Sequence, residues 1–278
     1  MTAQLADPII IVRQAGSVRI HTVIASFVDN NIANATHIIE SEHALVLIDS
    51  QFLRFYATKF REYADSLGKP IERLYLSHRH PDHWFGLGTA FSDLPTTSIY
   101  ALAETLDFIR DHGKDSLGDH TGKLGDQAPD KIVVPGSIAR PGVDTIDGVT
   151  YVIGRVTDTE IDFHLTIHLP ENGVCILQDL TYSGTHLYLT KDMDRWIRVL
   201  ATLLRSDYEI FLAGHGLPAN KDEVARNIEY LAAAKQALDS GLTNDAFKGY
   251  LLARYPERKC PGIFDIYLPR LFDAARQY

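Results

Sequence analysis

The stretch SHRHPDHWFG, Ser77 to Gly86, places three histidines and an aspartate within six positions, directly after the strand-like run IERLYL, Ile71 to Leu76. In a turn leaving a strand, His78 and His80 can point the same way, while Asp82 and His83 sit one short step further on. Imidazoles paired with a carboxylate form a ligand set for borderline metals, and the spacing leaves room for two neighbouring metal sites. Solvated turn histidines are the plainer alternative, and they would not call for this density of ligand-type side chains.

Outward from this motif the chain repeats one pattern twice. Upstream, VRIHTVIASF (18–27), THIIE (36–40) and ALVLIDS (44–50) read as strands, the last two parted by the polar turn Ser41-Glu42-His43. From Phe52 the period changes: Leu53, Tyr56, Phe60, Tyr63 and Leu67 are spaced for one helical face, with Gly68 and Pro70 as the stop. Residues 101–128 start helical and then turn Gly- and Asp-rich, which predicts a mobile flap with His112 and His120 in solvent. A second β-rich block begins near Val149 with TYVIGRV (150–156), FHLTIHLP (163–170) and GVCILQDL (173–180), the last two joined by a Pro170-Glu171-Asn172-Gly173 turn. A helix over Met193–Arg205 and the strand YEIFLAGHG (208–216) then echo the earlier order of helix, strand and histidine. Asn220 to Glu223 resembles a capping box, and Val224, Ile228, Leu231 and Leu238 mark the buried face of a long helix. Further helices should fill the tail to Tyr278. We read a domain over residues 1–220 with a C-terminal helical extension, 221–278, packed on it.

Composition narrows the function. A chain of 278 residues, 45% hydrophobic and 23% charged, can bury a sizeable core. No apolar run approaches the length of a membrane helix, and the N-terminus MTAQLADPIIIVRQ lacks a basic start followed by a continuous apolar core. The two cysteines, Cys175 and Cys260, are too few for a disulfide framework, so a cytoplasmic protein is expected. A formal charge of −9 speaks against a broad nucleic-acid surface and favours a small-molecule substrate; oligomeric state is left open.

His78-Arg79-His80-Pro81-Asp82-His83 resembles the H-x-H-x-D-H signature of the metallo-β-lactamase superfamily. The resemblance extends in order along residues ~20 to ~220. LVLIDS matches the strand whose terminal aspartate braces the site, which implies a supporting role for Asp49. GVCILQDL matches the strand that delivers a metal-bridging aspartate, here Asp179, with Gln178 where the family usually has glycine. FLAGHG matches the strand that delivers the last histidine, His215. The fold implied is α/β, a four-layer αββα sandwich with metal bound at one edge.

The third landmark departs from the pattern. The family usually has a histidine about ten residues before a Leu-Pro turn, whereas this chain reads VTDTEIDFHLTIHLPENG (156–173). Counting back from Pro170 places Glu160 at the ligand position. His164 is the rival, on the same strand face as His168 and Asp162, and as polar residues His164 and His168 also fit a strand's outer face. With Glu160, the resemblance divides the ligands into His78, His80 and Glu160 for one ion and Asp82, His83 and His215 for a second, with Asp179 between them. A carboxylate in place of imidazole hardens the first site, so zinc is expected and iron or manganese are the alternatives.

The resemblance implies a hydrolase in which a hydroxide held between two divalent ions attacks an ester, lactone, thioester or amide-like small molecule, with Asp82 orienting it or carrying its proton. Tyr182 and His186, in a loop after Asp179, are candidate oxyanion contacts, while Trp84 and Phe85 are assigned to core packing. A diiron redox or oxygen-handling protein of the same fold and a phosphodiesterase are the alternatives.

Overall fold

Side chains that alternate in direction along each strand divide this chain between separate apolar cores. The computed structural model describes residues 5–27 and 32–273. The first sheet is seven-stranded, in the order β1 (Ile9–Ala15), β2 (Val18–Ile24), β3 (Ala35–Glu40), β4 (Leu45–Ile48), β5 (Ile71–Tyr75), β6 (Ile99–Ala101) and β7 (Ser137–Ile138). It is antiparallel through β4 and parallel from β4 to β7. Helices α1 (Arg54–Ser66), α2 (Pro81–Trp84), α3 (Leu87–Ala90) and α4 (Ala103–Leu124) lie among these strands in the chain. The second sheet has five strands, β8 (Gly142–Ile146), β9 (Val149–Thr157), β10 (Phe163–Leu169), β11 (Val174–Ser183) and β12 (Ile210–Gly216). It is antiparallel except for the β11–β12 pair. Helices α5 (Asp194–Leu204), α6 (Lys221–Asp239), α7 (Asn244–Arg254) and α8 (Ile263–Phe272) complete the described chain.

The cores follow from sequence parity. In β4, Val46 and Ile48 face the second sheet, where they meet Ile153, Leu165, Ile176 and Leu212. Leu45 and Leu47 face the other way, onto Phe60 and Ala64 of α1 and onto Trp84, Phe85 and Ile109. In β11, Val174 and Ile176 point between the sheets, while Cys175 and Leu177 face Trp196 and Leu200 of α5 and Tyr230 and Leu231 of α6. The result is helix, sheet, sheet, helix, as the sequence predicts. Phe247, Leu251, Phe264 and Tyr267 of α7 and α8 pack into the same cluster as β11 and β12. At the start of α6 the Asn220 side chain accepts from the Glu223 backbone N–H at 3.1 Å, half of the expected capping box.

Two expectations need correction. Residues 101–128 form no flap: α4 runs unbroken to Leu124, with Thr105, Ile109 and Gly113 buried at four-residue spacing. His120 is accordingly half-buried, donating from Nδ1 to the Ser116 carbonyl at 2.7 Å and packing on Phe52 and Phe85, while His112 is exposed. Strand β1, which the sequence reading passed over, pairs with β2 along its whole length. The expected helix of the last residues, 274–278, lies outside the described part of the chain.

At the end of the first sheet away from Asp49, the Glu40 side chain is almost without solvent contact and lies 2.5 Å from Arg19, 2.7 Å from Lys69 and 2.8 Å from His21. Burial alone would raise this carboxyl, and the three partners overturn that and hold it at about 2. A depressed folded-state pKa means stability that is present above the unfolded value of roughly 4.3 and lost as pH falls toward 2. We expect Glu40→Gln to cost about 2 kcal/mol at pH 7, below the value for a fully buried pair because Arg19 is half-exposed. Urea denaturation of both proteins at pH 7 and pH 3 checks this: the gap between them should narrow at pH 3.

Candidate metal centre

Parallel pairing of β4 with β5 and of β11 with β12 sends the carboxyl ends of these strands toward one edge of the sandwich. Asp49 follows β4, Ser77 and His78 follow β5, and α2 carries Asp82 and His83. The second sheet contributes Asp179 from β11, His215 from β12 and Glu160 from the turn between β9 and β10.

Asp49 is the hub of this edge. It has a left-handed backbone (φ 60°), which turns the chain sharply out of β4. Its Oδ1 accepts from the Ser77 backbone N–H at 2.7 Å, and its Oδ2 accepts from Ser77 Oγ at 2.7 Å, His83 Nδ1 at 2.7 Å and Gln178 Nε2 at 2.5 Å. Gln178, the departure from the usual glycine, thus ties β11 of the second sheet to the turn after β4 of the first. Gly214 leaves room for the neighbouring carboxylate, since a Cβ there would lie 1.9 Å from Asp179 Oδ1.

These bonds fix the tautomers. Ser77 Oγ spends its proton on Asp49, so at 2.9 Å it accepts from His78 Nδ1–H. His83 Nδ1–H donates to Asp49, and His215 Nδ1–H donates to the Ile32 carbonyl at 2.8 Å. Each Nε2 then carries a lone pair, and all three point into the cluster. His83 Nε2 lies 3.2 Å from Asp179 Oδ1 and 3.3 Å from Asp82 Oδ2; His215 Nε2 lies 3.2 Å from Asp179 Oδ2 and 3.4 Å from Asp82 Oδ2. His78 Nε2 is 3.6 Å from Asp179 and 3.9 Å from Glu160, and His80 Nδ1 is 3.1 Å from Glu160 Oε1.

Lone pairs facing carboxylate oxygens in a buried space require positive charge between them. Both Glu160 oxygens, His83 Nε2 and Asp179 Oδ1 are buried with no hydrogen-bond partner. His78, His80, Glu160 and Asp179 form one group and Asp82, His83, Asp179 and His215 another, with the ligand atoms of each within 4.8 Å of one another. Nitrogen and carboxylate donors at this spacing suit divalent cations. The electrostatics agree. Burial opposes a charge on His83, yet Asp179, Asp82 and Asp49 hold its pKa well above the ordinary histidine value. Burial pushes the Glu160 carboxyl up, and burial with His83 close by pushes His78 well down.

Glu160 therefore lies within the first group and His164 in neither. Glu160 and Asp162 belong to the turn before β10, not to the strand. The surface assignment of His164 is wrong: it is fully buried and stacks on His78, with ring centroids 4.8 Å apart and planes at 22°. Burial lowers its pKa to about 4, so it packs as a neutral ring. His168 is half-buried, with Nδ1 3.1 Å from Cys175 Sγ. Tyr182 sits inside β11, not in a loop; its hydroxyl donates to Asp179 Oδ2 at 3.1 Å and its ring stacks on His215. His186 is buried among the helices, with Nδ1 3.0 Å from the Tyr230 hydroxyl and its ring against Phe264, which removes it as an oxyanion contact. Trp84 and Phe85 are core residues as expected.

The sequence marks Gln178 only as a departure from the usual glycine and gives no role to it, to Ser77 or to Asn34, whose Nδ2 donates to Asp82 Oδ2 at 3.3 Å. Ser77 and Gln178 adjoin recognised residues in the chain and were within reach; Asn34 had no local signal.

No family model and no curated protein matches the chain. Solved structures do. A metallo-β-lactamase from Pontibacter korlensis superposes with a TM-score of 0.62 at 14% identity, covering 81% of this chain and 99% of its own. The chain has the metallo-β-lactamase fold. The mono-zinc form of the metallo-β-lactamase FIM-1 from Pseudomonas aeruginosa matches at TM-score 0.63 and 15% identity, over 84% of this chain and 99% of its own. A double mutant of the sec-alkyl sulfatase PisA1 matches at TM-score 0.63 and 18% identity, over 93% of this chain and 49% of its own.

Glu160→Ala is expected to lose one divalent ion per chain. His164→Phe, which keeps the ring stack on His78, should retain the full complement. Metal content of the variants prepared side by side under limiting zinc and iron checks both, and loss of an ion in His164→Phe alone would reverse the assignment.

Proposed function

We propose that this chain is a metal-dependent hydrolase that cleaves a small ester, lactone, thioester or amide-like substrate with two divalent ions, zinc foremost. The observation that carries this is the convergence of imidazole lone pairs and carboxylates into two groups that share Asp179. His78, His80 and Glu160 would hold one ion, Asp82, His83 and His215 the other. Such ions supply Lewis acidity and a water that ionises near neutral pH.

The chain's own residues do the rest. Asp82 keeps a small exposed fraction (13%) where the ligands around it are closed, so it is the carboxylate placed to hold a proton from water and pass it to the leaving group. Asn34 orients Asp82, and the Tyr182 hydroxyl orients Asp179. A cleft of about 310 Å³ opens beside His80 and Glu160, a size that suits a small molecule. Both cysteines are free and buried, which suits the cytoplasm, and among the described residues no helix is long and apolar enough to cross a membrane.

Sulfate-ester cleavage is the second reading, favoured by the sulfatase match, which extends over more of this chain than either lactamase match. A diiron redox protein is separated from both by metal analysis and a visible spectrum of protein purified without added metal. Removal of metal by a chelator should abolish turnover of 4-nitrophenyl esters, and zinc should restore it. At zinc concentrations high enough to fill both sites, confirmed by metal content, Asp82→Asn should lose roughly 100-fold or more in kcat, as expected for a lost proton-transfer group, and under limiting zinc it should also lose the ion of the second group. Esterase activity that survives complete metal removal would reject the proposal.

A further inference from the structure

The cleft beside His80 and Glu160 carries charge that the metal-binding cluster does not use. Its inner wall is apolar, formed by Ile161, Leu189 and Leu271, each almost fully buried. Its rim holds Arg79, Lys191 and Arg270. Arg79 is accounted for, since it pairs with Asp162 at 3.2 Å and lies over the Phe108 ring. Among the described residues Lys191 and Arg270 take part in no ion pair, although acidic side chains outnumber basic ones, 36 to 27, in the chain.

Arg270 is held in place all the same. One of its guanidinium nitrogens donates to the Tyr188 hydroxyl at 3.1 Å, and the Tyr188 ring lies 5.2 Å from the His80 ring. Tyr267, one turn earlier on α8, packs on Tyr188 at 5.5 Å. Helix α8 thus builds one wall of the cleft and presents a cation there whose guanidinium, among the described residues, donates to Tyr188 alone. Glu160 and Asp162, the carboxylates lining the cleft, are taken up by the metal-binding group and by Arg79.

We propose that the substrate is an amphipathic anion. Lys191 and Arg270 hold an anionic group at the end remote from the bond that is cleaved. Ile161, Leu189 and Leu271 cover its apolar middle, and the scissile bond lies beside His80 and Glu160. A charge-assisted, forked contact from Arg270 selects for the anion, and the apolar wall favours an aliphatic middle. The inference rests on the hydrolase reading above and adds a substrate class and a specificity role for α8.

The test uses two probes with the same scissile bond and chain length, the anionic mono-4-nitrophenyl glutarate and the neutral 4-nitrophenyl pentanoate, with the metal-loaded protein. The glutarate ester should be preferred by roughly tenfold or more in kcat/KM. Lys191→Gln and Arg270→Gln should each remove most of that preference through KM, leaving kcat and the pentanoate ester within about twofold, and Arg270→Lys should restore part of it. Calorimetric titration with glutarate, which needs no turnover, should show weaker binding in both Gln variants. Equal losses on the two probes, no preference for the anion, or unchanged glutarate affinity in the double variant would overturn the proposal. If neither ester is cleaved, the hydrolase reading fails for esters, while the glutarate titration still decides the role of the two cations.

Discussion

The edge of this sandwich depends on the carboxylate of Asp49. It accepts hydrogen bonds from the backbone and side chain of Ser77, from His83 and from Gln178, so one buried group joins the ends of β4 and β5, the short helix α2 and the opposite sheet. Its effect on chemistry passes through protons. By accepting from His83 Nδ1 directly and from Ser77, which in turn accepts from His78, it commits one nitrogen of each ring and leaves the other as a lone pair aimed inward. The left-handed backbone of Asp49 is a local cost that this set of bonds offsets.

Once those lone pairs and the carboxylates of Asp82, Glu160 and Asp179 share a closed space, the electrostatics follow. Several buried anions with too few protons between them are destabilising, and either protonated imidazoles or cations must supply the missing charge. The raised pKa of His83 and His215, both against the direction of burial and both due chiefly to Asp179, expresses that demand. Divalent ions bound there would meet it more fully and would couple metal binding to folding stability. The stacked Tyr182 and His164 rings close the flanks of the cluster without adding charge.

Much of this was legible in the sequence because it is local. The density of ligands from His78 to His83, the alternation in ALVLIDS and GVCILQDL and the helical spacing from Leu53 to Leu67 each report structure within a few residues. The misreadings came from tertiary context. Gly113, Gly118 and Gly122 made 101–128 look like a loop, yet Gly113 lies on the buried face of α4, where a Cβ would come within 3.0 Å of Ile132. Strand parity put His164 on an outer face, whereas the start of β10 is joined to the turn after β5 by the Leu165 backbone N–H on the Ser77 carbonyl, which buries His164 against His78. Counting back from a Leu-Pro turn did reach Glu160, but it could not reveal that the residue leaves a turn held by the Thr190 hydroxyl on the Thr159 carbonyl. Arg270 had no sequence signal, because its place beside the cleft depends on how α8 docks.

The most direct measurement of the account is the zinc affinity of Asp49→Asn, determined by chelator competition alongside its thermal melt. An amide keeps the size of the side chain but has one acceptor oxygen in place of two and no charge: if its oxygen takes the Ser77 Oγ, His83 and Gln178 bonds, its NH2 opposes the Ser77 backbone N–H, and if the groups are reversed the His83 tautomer is no longer held. The account predicts a folded protein whose zinc affinity falls roughly 10- to 100-fold. A folded Asp49→Asn protein that binds zinc as tightly as the parent would contradict it.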